Sequence, residues 1–578
     1  MKKNKSNLRR YFIGKLIKRI LFILFLIILN YIFIIKKVIP IFYAKNIIIN
    51  YGLHSFDICI KYPTVWKNIK RLYIITSILA ASIVGNSIYS FIFKYNSPNI
   101  TPPHIKTIKP SSNTLHLLIG YNYQTRNNLY LLEPSLYQNI LITGTIGSGK
   151  TSSAMYPYTK QLIEYNYKNP SSKLGMLILD VKGNYHYYIK NLAKKYNIEN
   201  DLIIIELNSK ITYNPLHKPY LKPHVLANRL ITILNLFSPN TTESYWLDKA
   251  EQILSESIKL CRLYNNNYVT FTEIHKLITF PSYYEEKINT LKNKFTKNKL
   301  SSRQLYELNS AIDFFQKEYW SMDQRTLSIL KSEITRITNI FISDYDVQKT
   351  FCPSYGNITF NGFRSVLDSG KIVILNMNIA VYKNLSKIIA AYLKLDFQFE
   401  VISRISKYNT KPCAFICDEY SEYVTKTDSD FFSLSREAKC INIISTQSYS
   451  SLKNTLKDET SVKVIIQSLV NKLWFRSDDI FTIEEVQKQL GKEDKIKTSR
   501  NISENAKETN YNYITNSFVS HNSNISESLN TYVQTEFKYD ITFFSQELHS
   551  FEALAFLSNG TNIIPPCKLK MNPYFKNS

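Results

Sequence analysis

Residues 139–155, "NILITGTIGSGKTSSAM", constrain this chain more than any other stretch: an apolar run, a glycine-rich turn, then Lys150 and Thr151. Residues 144–151 satisfy G-x-x-x-x-G-K-[ST] at every specified position, through Gly144, Gly149, Lys150 and Thr151. The pattern recurs by chance, so its surroundings decide its meaning. "NILIT" (139–143) has the composition of a buried parallel strand. "SSAMYPYTKQLIEY" follows with a helical pattern carrying Met155, Leu162 and Ile163, and Pro157 predicts a kink or an early stop in it. Strand, turn and helix together make a phosphate cradle. Glycines let backbone N–H groups turn inward, and the helix N-terminus adds positive potential. Gly144, Thr145, Gly147, Ser148, Gly149, Lys150, Thr151 and Ser152 are then the residues that bind ATP. Lys150 reaches the β- and γ-phosphates, and the Thr151 hydroxyl ligates Mg²⁺.

Such a loop needs an acidic partner on a neighbouring strand. "PCAFICDEYSEY" (412–423) supplies an apolar strand ending in Asp418, for the Mg²⁺ shell, and Glu419, to orient or deprotonate the attacking water. "CINIISTQS" (440–448) is another apolar strand. Gln447 at its carboxyl end lies where open α/β sheets place ligands, and can sense a γ-phosphate or position water. Arg436, just upstream, suits an arginine finger; from local sequence alone a plain surface arginine fits equally well. "LGMLILDVKGN" (174–184) ends a further strand in Asp180, Lys182 and Gly183, and both a structural turn and a nucleotide-adjacent loop fit it.

Further strands are expected at 201–207, 371–377, 471–477 and 553–560. Interleaved with helical stretches, they give an α/β fold: a RecA-like P-loop motor domain with a doubly wound, mostly parallel sheet. An all-α insertion splits it. Residues 243–264 place Trp246, Leu247, Ala250, Ile253, Leu254, Ile258 and Leu260 near one helical face, and 301–320 and 322–341 behave similarly. Such stripes are more often core than binding surface, so no single residue there is a site candidate.

Charge sharpens the picture only after it is located. Residues 1–100 hold 16 Lys/Arg and one acid, Asp57, hence +15, which leaves +12 of the total +27 for the other 478 residues. The remainder is mildly basic, as a nucleic-acid groove or an AT-rich genome's bias toward Asn, Ile, Lys and Tyr would each make it. Seven cysteines stand singly, with no C-x-x-C pair, which suits a reducing compartment rather than a disulfide framework.

Two amino-terminal runs, 20–35 and 72–93, read as membrane spans. The first is short, and flanking Lys/Arg side chains extend its reach by snorkelling. A signal peptide is the rival reading of that run, but no small-x-small cleavage site follows it. Eight Lys/Arg precede the first run and seven lie between the two, so charge alone does not orient them. ATP use does: it puts everything after residue 94 in the cytoplasm, and the amino terminus with it.

With these features in order, the chain resembles the type IV coupling proteins, the TraG/TraD-type conjugative DNA-transfer ATPases. The resemblance rests on paired spans, "LITGTIGSGKTSSAMYP", "LILDVKGN" beside the family's D-P-K-G-E element, "ITYNPL" (211–216), "AFICDEY" and "SREAKCINIISTQS". Asp418 to Arg436 is 18 residues and Arg436 to Gln447 is 11, similar to the family's spacing of an arginine and a glutamine after the first acid. Val181 and Asn184 depart from the family's proline and acid. The resemblance implies that Lys150, Glu419, Arg436 and Gln447 are catalytic, with Arg436 acting across subunits of a homo-hexameric ring. It implies single-stranded DNA bound without base reading, an attached relaxase, and type IV secretion channel proteins as partners. It also implies an all-α domain capping the ring mouth.

The expected organisation is a two-span membrane anchor at 1–95, the motor domain at 96–217 and 351–578, and the all-α insertion at 218–350. Residues 497–535, rich in Ser, Asn and Thr, read as a flexible loop or linker. The expected function is a membrane-anchored ATPase, with its motor in the cytoplasm, driving DNA into a conjugation channel. An FtsK-like double-strand pump, an ATP-switched docking receptor and a protein-only coupler share its motifs.

Overall fold

Ile140, Leu141, Ile142 and Thr143 are all buried, on both faces of their strand, and that double burial fixes the architecture. In the computed structural model, residues 20–22, 24–32, 36, 63–93, 110–111 and 114–576 are described, except 238–243, 298–300, 407–409, 507–508, 513–516 and 521–522. They fall into two units, Met1–Lys106 and Thr107–Ser578.

In the first unit, the run 72–93 lies within a 31-residue helix, Pro63–Phe93. The run 20–35 falls partly outside the described residues. Among the described residues no helix is long and apolar enough to cross a membrane.

The second unit is built on an 11-stranded sheet. In chain order its strands are β1 (His116–Asn122), β2 (Asn127–Leu132), β3 (Ile140–Thr143), β4 (Gly175–Leu179), β5 (Leu202–Ile205), β6 (Ile372–Leu375), β7 (Cys413–Cys417), β8 (Cys440–Thr446) and β9 (Asn471–Trp474). Beyond a separate ribbon come β14 (Glu552–Phe556) and β15 (Cys567–Lys570). The order is β2-β1-β15-β14-β9-β3-β8-β7-β4-β6-β5. From β9 to β5 every neighbouring pair is parallel, and from β9 back to β2 every pair is antiparallel. Alternate residues feed opposite cores. Leu141, Leu177, Leu179 and Phe415 join one, while Ile140, Ile142, Ile178 and Ile416 join the other. The sheet is therefore mixed and helix-covered, its parallel part doubly wound as expected.

Between the adjacent strands β5 and β6 the chain is helical, from Pro223–Phe237 and Ser244–Tyr264 to Gln324–Ile342 and Tyr345–Phe351. Ala250, Ile253, Leu254, Ile258 and Leu260 are buried, with Trp246 and Leu247 partly so, in the same core as one face of the sheet. A buried ionic cluster ties these helices to the motor. Asp396, on the helix Ile379–Ile402, meets Lys218 at 2.8 Å and Arg229 at 3.0 Å and accepts from Tyr213 Oη at 2.7 Å.

Two expectations need correction. Pro157 does not stop its helix early. A π-helical turn, Thr151–Met155, runs directly into the α-helix Tyr156–Lys168, and this widened turn precedes Pro157, the residue that lacks an N–H. The segment 497–535 is not a structureless linker. β10 (Lys492–Ala506) pairs in continuous antiparallel register with β13 (Ser523–Phe537), and β11 (Thr509–Asn512) pairs with β12 (Ser517–Ser520) beyond them. The Ser, Asn and Thr content of this segment hid the strands, which are otherwise signalled by β-branched and aromatic runs.

Candidate active site

The carboxyl ends of β3, β8, β7 and β4 converge on one cleft. In-register pairs set Thr143 beside Thr446, and Cys417 beside both Ile444 and Leu179. The loops that follow each strand therefore start level with one another. β8, which ends next to Gln447, lies between the strand of the glycine-rich loop and the strand of Asp418.

The loop after β3 is held from behind by distant backbone. Thr145 N donates to Arg476 O at 2.8 Å, and Phe551 N to Ser148 O at 3.1 Å. Ser148 Oγ closes the turn on Thr145 O at 2.7 Å. Gly147 (φ +76°) and Gly149 (φ +98°) both sit in the left-handed region. A Cβ on Gly149 would lie 2.6 Å from the Phe551 ring, whereas one on Gly147 would meet nothing within 4 Å. The loop is braced on one side and open on the other.

Lys150 is buried, and its Nζ donates to Gly144 O at 2.5 Å and Thr145 O at 3.3 Å. Burial pushes its ammonium below the ordinary lysine range, against the opposing pull of Glu419 and Asp418. Ser152 Oγ donates to Gly149 O at 3.3 Å. Thr151 Oγ1 donates to Asp418 Oδ2 at 2.9 Å. A hydroxyl and a buried carboxylate touching at the mouth of the cradle form the hard-oxygen set that suits Mg²⁺, so these residues fit the ion and a nucleotide phosphate chain. Glu419, next in the chain, is buried with φ +50°, an uncommon backbone for a residue with a Cβ, held by the turn after β7.

Gln447 follows β8 at the cleft, half-buried, with no hydrogen-bond partner for its amide among the described residues. Arg436 is elsewhere. It is exposed, four residues before β8 begins, at the amino-terminal edge of the sheet. The structure therefore gathers Lys150, Thr151, Asp418, Glu419 and Gln447 and leaves Arg436 apart.

The loop 180–184 belongs to the cleft. Asp180 is buried, and its carboxylate accepts from the backbone N–H of Lys182 (3.1 Å), Asn184 (3.0 Å) and Tyr185 (3.0 Å). Lys182 Nζ is 3.7 Å from Glu419 Oε1. Sequence reasoning named Asp180 and Lys182 without assigning either, because the meeting of Lys182 with Glu419 depends on β4 and β7 being neighbours. It missed the bracing by Arg476 and Phe551 altogether. Those contacts come through backbone and a ring edge hundreds of residues away, which leaves no local signal.

Residues 412–532 match a family model described as the TraM recognition site of TraD and TraG. The match covers Asp418, Glu419, Arg436 and Gln447, on which much of the resemblance to type IV coupling proteins rests. No curated protein matches the chain. Among solved structures, the bacterial conjugative coupling protein TrwBdeltaN70, in its unbound monoclinic form, is 12% identical with a TM-score of 0.49, covering 79% of this chain and 88% of that one. Plasmid coupling protein TrwB in complex with the non-hydrolysable GTP analogue GDPNP is 12% identical, with a TM-score of 0.48 and coverage of 79% and 95%. VirB4 of Thermoanaerobacter pseudethanolicus is 11% identical, with a TM-score of 0.44 and coverage of 80% and 98%. Overlaps this low carry no conclusion about the site, which stands on its own geometry.

Proposed function

We propose that this chain, a member of the type IV coupling proteins, is an ATPase that couples hydrolysis to the transfer of single-stranded DNA, with an attached relaxase, into a type IV secretion channel. The observation that carries hydrolysis is the Thr151–Asp418 contact at 2.9 Å, with Lys150 and Glu419 facing the same cleft. Lys150 and the loop's backbone N–H groups bind and orient the phosphates, and Thr151 and Asp418 hold Mg²⁺. Mg²⁺, when bound, neutralises charge on the phosphoryl oxygens. Glu419 orients water and takes its proton, and Gln447 helps place it. Arg436 serves the neighbouring protomer of a homo-hexamer, since a finger adds charge at a phosphoryl centre only where it can reach one. Residues 20–35 and 72–93 anchor the chain in the cell membrane with the motor on the cytoplasmic side, a reading supported by their apolar sequence.

Backbone charge, not base edges, grips the DNA in this reading. ATPase activity of the full chain should therefore rise with single-stranded DNA of any sequence, and the stimulation should fall steeply with salt. Complete indifference to DNA would overturn the reading. One observation favours a second role: the match over 412–532 is described by recognition of a protein, TraM. A docking face for a partner of that kind, in the region carrying the β10–β13 ribbon, is compatible with the motor. If a purified partner stimulates turnover and DNA does not, an ATP-switched receptor replaces the pump.

A further inference from the structure

Lys182 is aimed by a rigid turn. Three backbone N–H groups converge on the Asp180 carboxylate, which fixes residues 180–185 as one unit and caps the helix Tyr185–Lys195. Gly183 takes φ +69°, and a Cβ there would lie 2.9 Å from Asn378 Cβ, so the turn is pressed against the start of the helix Ile379–Ile402. Ile379 N donates to Val181 O at 3.1 Å and clamps the other side. A loop held at both flanks delivers one long cation. Its ammonium is 3.7 Å from Glu419 Oε1 while the side chain stays 53% exposed, so its remaining N–H donors are open to a ligand beside Glu419. Its charge is felt at Lys150, which puts both lysines in one electrostatic neighbourhood.

A solvated surface pair would not need this scaffold. An exposed lysine pairing with an exposed acid contributes little, and either partner swings freely. Here the acid is 11% exposed and is the residue proposed to handle water.

We propose that Lys182 is a second phosphate-facing cation, shared between the Glu419 carboxylate and the outermost phosphoryl group of a bound nucleoside triphosphate. It donates to a γ-phosphoryl oxygen, which a diphosphate lacks, and keeps the Glu419 carboxylate beside that group. This rests on the ATPase reading above and adds to it a residue that distinguishes triphosphate from diphosphate.

The test is nucleotide binding by the full-length protein with Mg²⁺, comparing ADP with a non-hydrolysable ATP analogue by calorimetry. Lys182→Ala should bind ADP as the parent protein does and lose about tenfold in affinity for the analogue, the worth of one charge-assisted hydrogen bond. Lys182→Arg should restore most of the preference. Equal losses for both nucleotides, or no loss for either, would overturn the proposal. Lys150→Ala separates the two failures. If it loses both nucleotides while Lys182→Ala keeps its preference, only the role of Lys182 falls. If the parent protein binds neither nucleotide, the ATPase reading falls and takes this proposal with it.

Discussion

Arg436 and Gln447 stand at opposite ends of β8: Arg436 precedes its first residue, Cys440, and Gln447 follows its last, Thr446. Six steps of about 3.3 Å separate the strand's ends by roughly 20 Å. Gln447 shares the cleft with Lys150, whereas Arg436 is a full strand length from its own phosphate loop. An arginine side chain does not span that distance.

The consequence is a complementation test. Arg436→Ala and Glu419→Gln should each abolish ATP turnover alone, the arginine change by about 10³-fold or more. Mixed, the two variants should regain activity, because a Glu419-intact site then meets an Arg436-intact neighbour. Activity retained by Arg436→Ala alone, or no recovery on mixing, would remove Arg436 from the reaction.

Lys150 and Thr151 differ in what their loss should do. Lys150→Ala removes the buried cation of the cradle, and turnover should disappear. Thr151→Ala removes one Mg²⁺ ligand and should leave metal-free nucleotide binding while raising the Mg²⁺ concentration needed for half-maximal activity. Titrating Mg²⁺ against turnover checks both. An unchanged requirement in Thr151→Ala would contradict the metal assignment.

Most of the parallel strands were legible because they are short apolar runs buried on both faces, so composition alone marks Ile140–Thr143 or Ile372–Leu375. The strand order was not, and the site depends on it. Only the insertion of β8 between β3 and β7 brings Gln447 to the phosphate loop, and only the β4–β7 pairing brings Lys182 to Glu419. The hairpin β1–β2 and strand β15 were not among the expected strands, although β1 carries the apolar run Leu117–Ile119 and β2 the run Leu129–Leu132. The ribbon strands are rich in Ser, Asn and Thr, and the apolar residues of β13, Ile525, Leu529, Val533 and Phe537, recur every fourth position rather than every second, which dilutes the alternation of a strand.

Asp396 is the pivot between the inserted helices and the motor. Its burial would raise the carboxyl, but Lys218 and Arg229 overcome that and hold it below the usual carboxylate range. Asp396→Ala should cost about 3–5 kcal/mol, because it strands two buried cations. For a depressed carboxyl, the stabilisation is complete above the unfolded value of about 4 and is lost as pH falls through the lower folded value. Melting temperature should drop on acidification below about pH 4, and less steeply in Asp396→Ala. Identical acid slopes in both proteins would rule out this cluster as a stabilising contact.

Lys472, in β9 beside the phosphate-loop strand, presents the opposite case. It is 3% exposed, and no carboxylate pairs with it among the described residues; the Phe556 ring lies 5.8 Å from its ammonium. Burial alone pushes its pKa down from 10.5 to about 8. Below about 8 the folded chain therefore carries a charge that the unfolded chain holds in water, a cost on the order of 3 kcal/mol. Between about 8 and 10.5 the folded form has released that proton and the unfolded form has not, so the unfolded state binds more protons and stability rises with pH. Lys472→Met keeps the aliphatic stem and removes the charge. It should raise the melting temperature at neutral pH and flatten the rise across the alkaline window. If Lys472→Met melts lower at neutral pH and keeps the parent's alkaline slope, the buried ammonium is stabilised by the fold rather than tolerated by it.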